Sequence, residues 1–341
     1  MKTRFVLKAG LARLKHIFGK NTPLRVLHRV TSRCNLRCSF CDHELHESKG
    51  KELSTEEIKE CMNQFARLGA IAWGITGGEP FLRKDISQII RHSKQLGFLT
   101  NIITNGTLAT ESQIAEVSSS LDYLVTSLEG PKEITDKIRG QGVFDKVVHT
   151  IEVARRNNLP VIAAVLLTRD FIEAKGLEFM GRFSKEMGIR CSFQNLLLAG
   201  PYGGRGFKEE KPKIVPHNPD KQTLFEALDR ILYMRSLGYP FVNNKPWVDY
   251  VKAFMNKTLK PPKCFAGKLY CNFFEDGSLR TCQYHPLRIK KETIGESFRS
   301  LPGQFSDCPC LAICYINYNL AYSFNFSMIM DGFKNTLGYR D

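Results

Sequence analysis

The chain of 341 residues contains no long apolar run and no internal repeat. No window approaches the ~18 consecutive apolar residues that a membrane-spanning helix requires. The first residues, MKTRFVLKAGLARLKHIF, are interrupted by Lys and Arg, so the apolar segment of a secretory signal peptide is missing. Hydrophobic residues still make up 43% of the chain and charged residues 24%, which excludes global disorder. We therefore expect a cytoplasmic protein, large enough for one barrel or two domains.

Acidic residues are scarce, and the formal net charge is +15. The first 33 residues hold nine Lys or Arg and no acid, with Leu7, Leu11, Leu14 and Phe18 at helical spacing. This pattern predicts a basic amphipathic helix that closes one end of the core, contacts an anionic membrane or docks an acidic partner. The charge favours an acidic partner such as a phosphate-bearing substrate, a membrane surface or nucleic acid.

From about residue 24 to 200, short apolar runs alternate with helical periods. The predicted strands are Arg25–Thr31, Ala70–Thr76, Phe98–Thr104, Leu121–Leu128, Leu159–Leu167 and Arg190–Leu197. The predicted helices include Ser54–Leu68, Asp85–Leu96, Phe144–Asn157 and Glu173–Met187. Ser54 followed by Glu57 predicts a capping box at the start of the first of these helices. Six strand-and-helix units indicate an α/β fold with a parallel sheet, either a partial barrel or an open doubly wound sheet.

The rest of the chain is less regular. A long loop rich in Gly and Pro is predicted over Gly200–Asp220, followed by one helix, Gln222–Leu237. A segment punctuated by Pro and rich in Cys then runs from Lys260 to about Cys314, and an aromatic tail follows it.

Eleven cysteines in a chain without a secretory signal indicate metal binding or catalysis. Cys34, Cys38 and Cys41 have the spacing C-x3-C-x2-C and directly follow the first predicted strand. Three thiolates leave one iron of a cubane cluster open, and an open iron is reactive. A structural zinc site completed by His43 or His46 is the alternative.

This cysteine motif resembles that of the radical S-adenosylmethionine (SAM) enzymes. The resemblance implies a partial (β/α)6 TIM-like barrel in which Cys34, Cys38 and Cys41 hold a [4Fe–4S] cluster. SAM would chelate the open iron, and one electron would cleave it to methionine and a 5′-deoxyadenosyl radical that abstracts a substrate hydrogen. Phe40, before the third cysteine, would lie near the adenine.

A second motif at the next strand end strengthens the resemblance. Gly77, Gly78, Glu79 and Pro80 match the family's GGEP sequence, which contacts the amino group of SAM. Asn105 directly follows the third predicted strand and is a further cofactor-binding candidate.

The fourth strand end, SLEGP, resembles the SLDGP sequence of the peptide-modifying branch, with Glu129 in place of the usual Asp. This change is expected to weaken any role of that carboxylate. Ser127 and Arg139 are candidates for the ribose or carboxylate of SAM; the alternative is a helix-capping serine and a surface arginine.

The C-terminal cysteines form a second constellation. Cys264, Gly277 and Cys282 fit C-x12-G-x4-C, with a tight turn at Asp276-Gly277, and resemble the opening of SPASM and twitch auxiliary-cluster domains. Cys308, Cys310 and Cys314 depart from the SPASM spacing. The resemblance favours one auxiliary [4Fe–4S] cluster drawn from Cys264, Cys282 and two of the last three, with a zinc site as the alternative. Cys61 and Cys191 are expected to be buried apolar residues.

The resemblance also implies a division of the chain. The predicted units are an N-terminal helix (1–23), the radical SAM barrel (24–200), a linker with helices (201–259) and a small Cys-rich α+β domain with an aromatic tail (260–341). A peptide substrate is expected, with an external electron donor such as flavodoxin or ferredoxin. A lipid or prenyl-phosphate substrate at a membrane surface is the alternative, and a metal-stapled nucleic-acid-binding protein ranks below both. The sequence names no catalytic acid or base.

Overall fold

The computed structural model describes residues 21–41, 51–195, 217–258, 264–282 and 287–302. Within these ranges the strands form one sheet in the order β6-β5-β4-β3-β2-β1-β7-β8. The strands are β1 (Arg25–Arg29), β2 (Ala72–Thr76), β3 (Leu99–Thr104), β4 (Tyr123–Ser127), β5 (Val161–Leu166), β6 (Arg190–Gln194), β7 (Tyr270–Phe273) and β8 (Leu279–Arg280). The helices are α1 (Thr55–Arg67), α2 (Ile86–Gln95), α3 (Glu111–Ser118), α4 (Lys132–Arg139), α5 (Val143–Arg156), α6 (Arg169–Glu173), α7 (Gly176–Met187), α8 (Lys221–Ser236), α9 (Lys245–Met255) and α10 (Ile294–Arg299).

The first six strands are parallel neighbours in chain order. A helical crossover separates each pair, as parallel pairing requires. The sheet does not close between β6 and β8 in the described ranges. The predicted α/β fold with a partial (β/α)6 barrel is therefore confirmed, and each predicted strand contains the observed one.

The described C-terminal residues extend the same sheet. β7 pairs in parallel with β1, and β8 pairs antiparallel with β7. The turn between β7 and β8 contains Gly277 at φ +86°, a backbone conformation that favours glycine, so the predicted turn is confirmed. The boundary of a separate domain at residue 260 stays a prediction.

One helical prediction needs correction. Glu173–Met187 was expected as one helix, but it is divided between α6 and α7, with Lys175 in a left-handed conformation at the break. Helix α9 lies in the region predicted as a linker with helices, but its bounds were not predicted. Proline is tolerated in the first turn of a helix, and Asn244 caps this one by accepting a hydrogen bond from the Trp247 N–H.

Aromatic side chains fill the core between the sheet and α1. Trp73 stacks on Phe98 with ring centroids 5.6 Å apart and meets Phe65 edge-on. His28 is buried in the same cluster, with its ring 4.5 Å from that of Phe273. Neither of its ring nitrogens has a hydrogen-bond partner among the described residues. Burial, with a smaller contribution from the charge of Arg83, lowers the pKa of His28 to about 3.

Because the six strands are parallel, their carboxyl ends share one edge of the sheet, where the loops that follow β1 to β4 meet. In barrels of this kind that edge carries the functional groups. Every helix in the described ranges is too short or too polar to cross a bilayer. The predicted N-terminal helix lies almost wholly outside these ranges.

Candidate active site

Three cysteine thiols lie in the loop that follows β1. Cys38 is buried, and Cys34 and Cys41 are half-buried. The loop turns back on itself, since the Cys41 N–H donates to the Cys38 carbonyl oxygen over 3.0 Å. Burial raises the pKa of the Cys38 thiol above its ordinary value, and the nearby positive charge of Arg139 opposes that rise.

The two glycines of the GGEP motif bring the loop after β2 against the cysteine loop. The Gly78 N–H donates to the Thr31 carbonyl over 2.9 Å, and the Glu79 N–H donates to the Arg33 carbonyl over 2.8 Å. A Cβ atom at Gly78 would lie 2.1 Å from the Arg33 oxygen, and one at Gly77 would lie 2.7 Å from the Thr31 oxygen. The glycines therefore allow two loops to approach each other, so the position of Cys34 depends on the GGEP backbone.

The carboxylate of Glu79 ties the second loop to the third. Its Oε1 accepts hydrogen bonds from the Phe81 N–H (3.0 Å) and the Thr104 hydroxyl (2.8 Å), and its Oε2 accepts from the Asn105 N–H (2.6 Å). The side chain is fully buried. Burial raises its pKa above the ordinary range, against the opposing effect of these hydrogen bonds. Both oxygens are thus engaged within the protein, and Pro80 begins a short 3-10 turn directly after them.

Asn105, which directly follows β3, contacts the cysteine loop through its side-chain amide. Its amide nitrogen lies 2.8 Å from the Asn35 side-chain oxygen and 3.9 Å from the Cys34 sulfur. Its side-chain oxygen accepts from the Thr107 N–H and hydroxyl at 2.9 and 2.7 Å. Asn35 completes the ring by donating to the Thr107 hydroxyl over 2.9 Å. This network fixes the amide as a donor directed at Cys34.

Arg139 connects the fourth strand to the second cysteine. Two of its nitrogens donate to one carboxylate oxygen of the fully buried Glu129, whose other oxygen accepts from the Leu166 N–H over 2.8 Å. A third nitrogen lies 3.9 Å from the Cys38 sulfur, and the guanidinium lies over the Phe40 ring at 5.4 Å.

Two expectations for this pair are corrected. Arg139 is not a surface arginine, since only 9% of its side chain is exposed. The Glu129 carboxylate was expected to have a weakened role, yet it anchors Arg139, because the longer side chain still reaches the guanidinium from the end of β4. Ser127 is the last residue of β4 and is half-buried, and no helix starts at it.

Two site residues were missed in the sequence because they lie in no recognisable motif. Arg83 is buried; it donates to the Val30 carbonyl over 3.2 Å and pairs with Asp85 at 2.7 Å. Glu52 accepts from the Thr31 hydroxyl over 2.5 Å and pairs with Arg33 at 3.3 Å. Both side chains hold the backbone between β1 and Cys34. In the sequence, Arg83 could have been noticed only because it follows the GGEP motif, and Glu52 only because it precedes the first predicted helix.

The residues present fit an iron–sulfur cluster. In the described part of the chain, no three His, Cys, Asp or Glu side chains meet around a single ion. A cubane cluster takes one thiolate per iron, so its ligands need not converge on one point. Cys34 and Cys38 each have a nitrogen donor 3.9 Å away, on Asn105 and Arg139, and such donors stabilise thiolate ligands. His43 and His46, the alternative zinc ligands, lie outside the described residues.

The C-terminal cysteines are described only in part. The Cys264 sulfur lies 3.6 Å from the Tyr270 hydroxyl, and Cys282 is half-buried shortly after β8. Cys308, Cys310 and Cys314 lie outside the described residues. Cys271 is a buried core residue of β7, and burial raises the pKa of its thiol. Burial also raises the pKa of the Cys191 thiol, to about 12. Half-buried Cys61 has a pKa raised to about 11, mainly by burial.

Together, the parallel strands form a partial barrel with a loop of three thiols at its carboxyl edge. Residues 29–174 match the model of the Radical SAM superfamily, a match that covers less than half of the chain.

Two curated relatives are PqqA peptide cyclases. The chain is 30% identical to the one from Bradyrhizobium diazoefficiens and 33% identical to the one from Rhodopseudomonas palustris, over 151 residues in each case. These matches cover 43% of this chain and 40% of each relative, so the chain matches less than half the length of either cyclase.

Two solved structures share the fold. SuiB of Streptococcus suis bound to S-adenosylmethionine has a TM-score of 0.62 at 17% identity, over 87% of this chain and 74% of SuiB. Native anSMEcpe with bound AdoMet and Kp18Cys peptide has a TM-score of 0.63 at 16% identity, over 91% of this chain and 98% of the anSMEcpe chain. At these identities the likeness extends to the fold alone.

Proposed function

We propose that this protein reductively cleaves SAM and uses the resulting radical chemistry to abstract a hydrogen atom from a peptide substrate. Cys34, Cys38 and Cys41 would hold a [4Fe–4S] cluster, which when bound supplies the single electron for SAM cleavage. The observation that carries the proposal is the interlocking of four strand-end loops around the thiols, through Gly78, Glu79, Asn105 and Arg139.

The residues around the thiols would hold the cluster and SAM in distinct ways. Asn105 and Arg139 direct N–H groups at two of the sulfurs. The Arg139 guanidinium lies 3.9 Å from the Cys38 sulfur and over the Phe40 ring, a position that would suit the carboxylate of SAM, with Phe40 near the adenine. The GGEP residues Gly77–Pro80 would meet the amino group of SAM, and Ser127 its ribose. Glu79 would contribute indirectly, because its carboxylate is engaged with the third loop.

A peptide substrate is supported by the relatives. Those similar in sequence are named PqqA peptide cyclases, and the structural neighbours include SuiB bound to the precursor peptide SuiA and anSMEcpe with bound peptides. We also propose one auxiliary [4Fe–4S] cluster on Cys264, Cys282 and two of Cys308, Cys310 and Cys314, in a SPASM- or twitch-like C-terminal unit. An external donor such as flavodoxin or ferredoxin would supply the electrons.

The test compares Cys38→Ala with Cys61→Ala in anaerobically reconstituted protein, by measuring 5′-deoxyadenosine after reduction with dithionite. Cys38 is buried and Cys61 is half-buried, and Cys61 lies on α1, outside the cysteine loop. Cys38→Ala should abolish SAM cleavage, whereas Cys61→Ala should retain it. Undiminished cleavage by Cys38→Ala would refute the proposal.

A further inference from the structure

The side-chain amide of Asn105 uses all of its hydrogen-bonding capacity within the protein. Its oxygen accepts from the N–H and the hydroxyl of Thr107 at 2.9 and 2.7 Å. Its nitrogen carries two hydrogens and lies 2.8 Å from the Asn35 side-chain oxygen and 3.9 Å from the Cys34 sulfur. An amide offers two N–H donors and two lone pairs, so these four contacts account for every one of them.

The orientation of this amide follows from a donor that cannot be reversed. The backbone N–H of Thr107 can only donate, so the Asn105 atom that faces it must be the oxygen. The amide nitrogen is therefore the atom that faces Asn35 and Cys34. Asn35 supports the arrangement, because its own nitrogen donates to the Thr107 hydroxyl over 2.9 Å and its oxygen is left to accept from Asn105.

The backbone fixes the position of the same donor. The Asn105 N–H donates to the buried carboxylate of Glu79 over 2.6 Å, and only 8% of Asn105 is exposed. The Leu36 N–H is a second donor to the Cys34 sulfur, at 3.5 Å. Hydrogen bonds shielded from water are electrostatically stronger than those in solvent. Two N–H groups, one from the cysteine loop and one from the loop after β3, thus point at one sulfur.

We infer that the Asn105 amide raises the reduction potential of the [4Fe–4S] cluster held by Cys34, Cys38 and Cys41. This inference rests on the proposed function. Reduction adds one electron from the external donor to the cluster, and no bond to the protein forms or breaks. The added negative charge spreads over the sulfurs, so an N–H group directed at one of them stabilises the reduced cluster more than the oxidised one. Asn105 is then a positioning residue that acts through Cys34, in place of the direct SAM contact expected from the sequence.

The test measures the reduction potential of the cluster in the anaerobically reconstituted full chain, by EPR spectroscopy at a series of fixed potentials. The signal that changes when SAM is added identifies the cluster with the open iron and separates it from an auxiliary cluster. Asn105→Ser removes the amide and introduces no charge. It should lower the equilibrium constant for reduction about tenfold, which corresponds to a fall of about 59 mV for one electron.

A second variant, Asn105→Asp, keeps the shape of the side chain and its contacts with Thr107. An oxygen then faces the Cys34 sulfur in place of the nitrogen, so the potential should fall further than in Asn105→Ser. Asn157→Ser is the matched control, because the Asn157 amide donates over 2.9 Å to the Val153 carbonyl at the end of α5. This helix end precedes β5 and so lies at the opposite edge of the sheet, and the potential should not change.

Iron content and dithionite-driven SAM cleavage are measured in the same preparations. A potential that is unchanged or raised in the two Asn105 variants, or that falls equally in Asn157→Ser, would overturn the inference. Loss of iron with an unchanged potential in the remaining cluster would also overturn it, since a purely structural role has that effect. If the unaltered protein does not cleave SAM, the proposed function fails. If it cleaves SAM and the variants do not shift the potential, the inference fails alone.

Discussion

Glu129 and Arg139 show how one buried ion pair serves both stability and the site. The carboxylate is fully buried, and the guanidinium reaches from it to the Cys38 sulfur. A buried guanidinium that loses its anion leaves an uncompensated charge in a medium of low dielectric constant. The pair is therefore a point where loss of stability and loss of thiol positioning should coincide.

Glu129→Gln should lower the free energy of unfolding by about 3 kcal/mol, because it leaves the Arg139 charge without its counterion. Denaturant unfolding of the full chain measures the change. Glu116→Gln, which breaks the exposed pair with Arg91, serves as the control and should leave stability unchanged within error. A loss for Glu129→Gln no larger than that of the control would show that the buried pair is not the anchor of this loop.

Buried His28 should make the stability of the fold depend on pH. Its pKa of about 3 in the fold lies well below the ordinary value of 6.5, so the unfolded chain binds the proton more readily. Its contribution to stability is complete above about pH 6.5 and declines as the pH falls towards 3, by up to about 1.4 kcal/mol per pH unit.

His28→Phe should remove this dependence, since a phenyl ring suits a pocket formed by Trp73 and Phe273. Unfolding free energies of both proteins between pH 8 and pH 5 give the comparison. The wild-type protein should lose stability relative to His28→Phe as the pH falls. Parallel curves would contradict the assignment of a neutral, buried imidazole.

At the scale of elements, the loops after β1 and β2 depend on each other. Gly78 allows the GGEP backbone to donate hydrogen bonds to the carbonyls that precede Cys34. A Cβ atom there would lie 2.1 Å from a backbone oxygen, a distance that forces one of the loops to move. Pairs of glycines at strand ends can thus be required by the packing of the chain itself as well as by a ligand.

Gly78→Ala should displace the cysteine loop and reduce both the iron content and SAM cleavage by at least about tenfold. The control is Gly295→Ala on α10, where the added carbon would meet the flexible end of Arg299 at 3.3 Å. Iron analysis and the deoxyadenosine assay read out both variants. Full iron content in Gly78→Ala would contradict the role assigned to this glycine.

The elements also show what the sequence could and could not predict. The β1–β6 strands followed from apolar runs and the capping box of α1 from Ser54 and Glu57, and the structure confirms both. The loop residues Cys34, Glu79 and Asn105 were found because they stand at strand ends in recognisable motifs. Glu52 and Arg83 were not found, since their contacts join separate segments of the chain and neither lies in a recognisable motif.

The proposed auxiliary iron–sulfur cluster involves the C-terminal part of the molecule as well as the barrel. β7 and β8 join the barrel sheet, and β7 pairs with β1, the strand that precedes the thiol loop, so the C-terminal segment adjoins the edge that holds the thiols. Replacing Cys34, Cys38 and Cys41 together by Ala should leave about four irons per chain on the auxiliary site. Iron and zinc analysis of the purified variant provides the readout. Zinc without iron would contradict the auxiliary cluster and support the zinc alternative.

The most direct test of the central claim is anaerobic reconstitution of the full chain, followed by iron and sulfide analysis and a dithionite-driven assay for 5′-deoxyadenosine. The account predicts about eight irons per chain and reductive cleavage of SAM. About four irons with cleavage would retain the radical chemistry and remove the auxiliary cluster. An intact cluster without SAM cleavage would contradict the account.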